Sequence, residues 1–200
     1  VASGLWPGFD PTAIPLAVYD GAATYLFGHP APPGEFEATR VGAEPAWRYP
    51  GRHEAILANT CIELGGTMVA TLMLAAPPDE LDMIAGVAIH EMFHVYQARR
   101  PGAWPYSNEA ARFLYPVTDA AVLALRRQEI EALRRAVESE TPAAAAGWAR
   151  RALGARRERF GKLAAELAEY ERSLERIEGL AAYVEALATK RGPSERLDGE

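Results

Sequence analysis

Proline placement constrains this chain more than any other feature. Pro7, Pro11, Pro15, Pro30, Pro32, Pro33, Pro45 and Pro50 punctuate the first third. Because proline lacks an amide donor and clashes with the preceding turn, none of the intervals between them suits a helix. After Pro77-Pro78 the character reverses, and apolar residues recur at helical spacing almost to the end. A strand-and-loop region over 1–77 and a helical region over 78–200 are expected, an α+β arrangement. With 200 residues, 49% of them hydrophobic, the chain is long enough for one core without staples, so a single domain over 1–200 is expected.

Within the first region, "IPLAVYD" (14–20) and "ATYLFGH" (23–29) flank Gly21-Ala22 with the β-branched and aromatic content of a hairpin. Residues 60–75, "TCIELGGTMVATLMLA", read as two strands or one bent at Gly65-Gly66. A small sheet is the expected product. His29 and His53 lie among prolines and charges and read as surface loop residues.

The helical region begins with Asp79, Glu80 and Asp82 in a first turn. Arg99 and Arg100 occupy the last turn, and Pro101-Gly102 stops the helix. Leu81, Ile84, Val87, Ile89, Met92, Phe93, Val95 and Tyr96 make it apolar nearly all round, which predicts burial on most sides. A second helical stretch starts near Asn108 and is interrupted at Pro116. It resumes from Asp119 with Leu123, Ile130, Leu133 and Val137 on one side, and Thr141-Pro142 signals a further start. From Leu153 a stripe of Phe160, Leu163, Leu167, Tyr170, Leu174, Ile177, Ala181 and Val184 follows at steps of three, four or seven, with a break predicted near Gly154 or Gly161.

Composition removes several functions. Net charge is −6 with no long Lys/Arg run, which argues against a nucleic-acid groove. The basic stretch Arg150 to Arg159 is interrupted by acids and apolar residues and reads as a solvated face. No apolar run approaches the roughly 20 residues of a membrane span. Cys61 is the single cysteine, so any metal would be held by His and carboxylate. The chain begins at Val1. Cytoplasmic and exported locations both stay open, as does the oligomeric state.

Inside the buried helix, "GVAIHEMFHVYQ" (86–97) carries His90 and His94 with Glu91 directly after the first. Residues four apart lie about 40° apart on a helix face, so both imidazoles can reach one ion. Neutral imidazoles are good zinc ligands. Catalytic zinc takes three protein ligands plus water, and an interposed glutamate can draw a proton from that water. Two histidines satisfied in a core are the competing explanation.

The stretch "AIHEMFHVYQ" resembles the active-site helix of the zincin metallopeptidases. The metzincin pattern H-E-x-x-H-x-x-G-x-x-H fails, because Gln97 stands at the glycine and no histidine follows His94. In the gluzincin branch a glutamate from a later helix is the third ligand, and "RIEGLAAYVE" (176–185) resembles the E-G-x-A stretch that carries it in several bacterial zinc peptidases. The resemblance implies a zincin-like fold and a zinc site of His90, His94 and Glu178. It also implies hydrolysis of a peptide or protein substrate by metal-activated water, with Glu91 as general base. The G-x-M-E-N signature of gluzincin aminopeptidases is absent, so nothing supports exopeptidase action.

The residues select Glu178 independently. It follows Leu174 by four and precedes Ala181 by three, on or beside the packing stripe, where an ionised carboxylate is costly unless paired or metal-bound. Gly179, Ala181 and Ala182 would let this helix approach the HExxH helix. Alternatively, Glu171, Glu178 and Glu185 form a polar row at spacing seven. Glu109, after Ser107-Asn108, is the rival ligand or else a first-turn acid. Tyr183 is a candidate oxyanion donor, or a packed aromatic. Three readings follow: a zinc peptidase, a zincin-like domain whose silent or structural site serves binding, and a helical protein without metal.

Overall fold

The computed structural model describes residues 4–74, 81–100, 102, 104 and 110–190. It shows a mixed α+β chain, a six-stranded sheet followed by helices. The described residues fall into two compact units. One runs to Trp104 and takes in Ile177–Lys190, and the other ends at Arg176. The compact units do not divide at residue 77, where the composition changes from strand and loop to helix. The HExxH helix and a returning C-terminal segment belong with the sheet.

In the sheet unit the strands are β1 (Leu16–Tyr19), β2 (Ala23–Phe27), β3 (Glu37–Val41), β4 (Glu44–Pro50), β5 (Thr60–Leu64) and β6 (Thr67–Met73). Their order is β3-β4-β2-β1-β6-β5, and all neighbours are antiparallel except β1 and β6. The β1–β2 hairpin turns where expected. Asp20 Oδ1 accepts from the amides of Ala22 and Ala23, both at 2.8 Å, while Gly21 takes φ 96°. Gly65 and Gly66 both have positive φ, 56° and 74°. That is the requirement of a tight two-residue hairpin, and it separates β5 from β6.

Side chains alternate across this sheet with the period of two that a strand imposes. Val69 and Ala17 join Leu26, Phe36, Ile56 and Leu64 in one core, whereas Ala70 joins Phe9, Ile14, Phe93, Val95, Tyr96, Ala181 and Val184 in another. The second core is the one beneath α1 (Leu81–Ala98). The first turn of α1 is exposed, Leu81 by 75%, and its burial begins at Gly86 and is continuous from Phe93 to Gln97. Asp79, Glu80 and Pro101 lie outside the described residues.

His29 and His53, expected at the surface, are buried. Each Nδ1 accepts an amide two residues on, from Ala31 and Ala55, both at 3.2 Å. Each Nε2 also has a partner, the Leu64 carbonyl at 2.9 Å and Glu35 Oε1 at 3.2 Å respectively. Each ring satisfies Nδ1 locally and Nε2 through a residue distant in the chain, which composition around a histidine does not reveal.

The helical unit contains α2 (Ala111–Leu114), α3 (Ala120–Val137), α4 (Pro142–Phe160) and the first half of α5 (Ala165–Thr189). Asp119 caps α3 and Thr141 caps α4 ahead of Pro142, and α4 ends with Gly161 as its cap. The packed face of α3 is Val122, Leu125, Glu129 and Ala132, while Leu123, Leu133 and Val137, expected inside, are exposed. On α4, Leu153 is likewise exposed and Arg159 is fully buried. The stretch Arg150 to Arg159 is therefore not a uniformly solvated face. Arg159 pairs with Glu129 at 2.7 Å and with Glu171, and Arg156 reaches Glu129 and Glu175 at 2.6 and 2.8 Å. A charged pair with its hydrogen bonds made thus occupies the packed face that the apolar pattern assigned to other residues.

Candidate metal centre

Helix α1 carries His90 and His94 one turn apart, with ring centroids 4.8 Å apart and planes crossing at 74°. The last part of α5, within the same unit, brings Glu178 to them. Glu178 Oε2 lies 3.4 Å from His90 Nε2 and 3.3 Å from His94 Nε2. All three ligand atoms fall within 4.8 Å of one another. Among the described residues this is the one group of His, Cys, Asp or Glu side chains so disposed. The spacing has a physical reading. A charge-assisted N–H···O bond closes to about 2.7–2.9 Å. Two ligands about 2.0–2.1 Å from a tetrahedral ion stand about 3.3–3.4 Å apart. The two contacts to Glu178 match the second distance, so these three residues can hold a metal ion.

Both imidazoles present Nε2 inward because each Nδ1 is held from behind. Glu185 Oε2 lies 3.0 Å from His90 Nδ1, and Gln97 Oε1 lies 2.9 Å from His94 Nδ1. Such partners fix ring orientation and tautomer in metal-binding histidines. Neither residue was singled out for this role from sequence. Glu185 was visible only as a member of the row at spacing seven, and Gln97 only as a polar residue three positions after His94.

Charge is concentrated here. Burial alone would lower the His90 pKa, but the hydrogen bonds its ring donates to the Glu178 and Glu185 carboxylates outweigh it and raise it to about 9. The same contacts to His90 and His94 hold the Glu178 carboxyl well below its usual range. Glu91 is buried, and that burial pushes its carboxyl up, with His94 and His90 opposing. Cys61 on β5 feels Glu91 as well, after burial, and its thiol is raised.

Glu178 itself is not buried as its place in the stripe suggested. Its side chain is 51% exposed, and the inward positions of this segment are Ile177, Ala181 and Val184. The close approach of α5 to α1 is also made elsewhere than expected. Gly179 has no atom within 4 Å of a notional Cβ, whereas at Gly86 a Cβ would meet Thr189 Cγ2 at 2.7 Å and Glu185 Cγ at 3.2 Å. Tyr183 is 52% exposed and, five residues from Glu178, lies about 140° round α5 from it. Glu109 and Ser107-Asn108 lie outside the described residues.

Compared with protein-family models, curated proteins and solved structures, the chain matches none. The centre is therefore read from its own geometry.

Proposed function

We propose that this chain is a zincin-like, zinc-dependent peptide hydrolase whose metal ligands are His90, His94 and Glu178. The observation that carries this reading is the convergence of two back-supported imidazoles and one carboxylate, whose oxygen lies 3.3 and 3.4 Å from the two Nε2 atoms, from segments 84 residues apart. Zinc bound there would supply Lewis acidity and lower the pKa of water towards about 7. The chain's own residues supply the rest. Glu185 and Gln97 hold the two rings by Nδ1, so that their Nε2 atoms would face a bound ion. Glu91, one position and about 100° round the helix from His90, is a buried carboxylate whose proton affinity is raised. It suits a general base that takes a proton from water and returns it to the leaving amine.

A purely structural site is the competing use. Structural zinc is closed by four protein ligands, whereas catalytic zinc keeps a position open. Three candidate ligands among the described residues, one of them half exposed, favour the open kind. No helix among the described residues is long and apolar enough to cross a membrane.

Glu91→Gln tests the assignment. It should retain zinc at one ion per chain while hydrolysis of a mixed peptide library falls by about 100-fold or more. Retention of most activity would contradict the role given to Glu91, and absence of zinc from the unmodified protein would contradict the centre itself.

A further inference from the structure

Gln97 belongs to neither the HExxH pattern nor the third-ligand segment, yet it touches both. Its side chain is buried, its Oε1 lies 2.9 Å from His94 Nδ1, and its Nε2 donates to the Ile177 carbonyl at 3.1 Å. These contacts determine each other. A backbone carbonyl can only accept, so the amide nitrogen must face Ile177 and the amide oxygen must face His94. That oxygen can only accept, so Nδ1 must carry a proton. The lone pair of the neutral ring is thereby left on Nε2, the atom 3.3 Å from Glu178 Oε2. Ile177 immediately precedes Glu178. One amide thus sets the tautomer of one ligand and anchors the backbone from which another springs.

We infer that Gln97 is the positioning residue that joins the two halves of the centre. This rests on the metal reading above. The two histidines are supported unequally, His90 by the Glu185 carboxylate and His94 by a neutral amide. A carboxylate pulls harder on an Nδ1 proton and makes its ring the stronger donor. Glu91, Glu178 and Glu185 already surround the site, and the neutral amide orients His94 without adding a fourth acid.

Two substitutions separate this role from simple packing. Gln97→Met removes both hydrogen bonds at similar volume, and it should weaken zinc binding by about 10–100-fold in a chelator competition. Gln97→Glu keeps an acceptor for His94 Nδ1 but cannot donate to Ile177. Loaded with cobalt(II), it should show visible bands shifted from those of the unmodified protein, because the His94 ring becomes a stronger donor. Zinc affinity of Gln97→Met within twofold of unmodified protein, or a cobalt spectrum of Gln97→Glu identical to it, would overturn the inference and leave the metal centre standing. Unmodified protein that takes up neither zinc nor cobalt would overturn the metal reading, and this inference with it.

Discussion

Two polar clusters draw on glutamates of α5, and they solve the problem of a buried carboxylate in opposite ways. In the helical unit, Glu171, Glu129 and Glu175 meet Arg126, Arg156 and Arg159, three acids against three bases, with Glu129 and Arg159 almost wholly buried. Arg159 reaches Glu129 at 2.7 Å and Arg126 reaches Glu171 at 2.9 Å, ordinary lengths for charge-assisted hydrogen bonds. In the sheet unit, Glu178, Glu185 and Glu91 meet only two imidazoles, and Glu178 stands 3.3 and 3.4 Å from them. The first cluster is complete as it stands. The second has an excess of acid and spacings fit for a cation between its members. The lesson is that balance and contact length, more than burial, separate a closed ion cluster from one that could hold a metal.

The largest expected effect tests the complete cluster. Arg159→Met should cost about 3–5 kcal/mol in chemical denaturation, because it takes from buried Glu129 one of its two arginines and from Glu171 another, leaving buried acid in excess, and the loss should be the same with and without zinc. A cost below about 1 kcal/mol would show that the cluster is not the lock described.

Zinc itself should divide the two regions next. At a free concentration of 100 times Kd it should stabilise the unmodified protein by about 2.7 kcal/mol, stabilise Arg159→Met equally, and leave His94→Ala unchanged. Stabilisation of His94→Ala by the same amount would place the ion elsewhere.

Acid–base behaviour sharpens the contrast. The His90 pKa is raised from 6.5 to about 9. The stability its imidazolium gains from Glu178 and Glu185 is thus present below pH 6.5 and lost as pH rises to about 9. Glu178 is lowered from 4.5, so its share is lost as pH falls below that value. Metal-free protein should therefore melt progressively lower between pH 6.5 and 9. Zinc should bind more tightly over the same interval, since His90 must release its proton to the ion. A metal-free melting curve that rises across that interval would contradict the contacts at His90.

The smallest effect concerns two helical glycines. Gly179→Ala should stabilise by about 0.5–1 kcal/mol, because its surroundings are open and alanine favours helix. Gly86→Ala should lose that gain and weaken zinc binding, because its Cβ would press on Thr189 and Glu185, the support of His90. Equal stabilisation at both sites would show that the close approach at Gly86 is unimportant.

Much of this was legible in sequence where local chemistry decides it. Gly21 and Gly65-Gly66 marked real turns, Thr141-Pro142 a real helix start, and Gly161 the break between α4 and α5. The trio His90, His94 and Glu178 was named from motif and stripe, and the structure brings it together. What failed depended on partners distant in the chain. The buried faces of α3 and α4 run through Glu129 and Arg159, which a hydrophobic pattern assigns to solvent, because each is neutralised by the other across 30 residues. His29 and His53 are buried through contacts that polarity alone hides. Glu185 and Gln97 carry no motif. Their role appears only when α5 lies against α1.

The central claim is that His90, His94 and Glu178 share one zinc ion. An anomalous difference map recorded at the zinc absorption edge from crystals grown with zinc tests it most directly. The account predicts one peak per chain, about 2.0–2.2 Å from Nε2 of His90, Nε2 of His94 and a carboxylate oxygen of Glu178. A peak ligated by Glu109 in place of Glu178, or no peak between the two histidines, would contradict it.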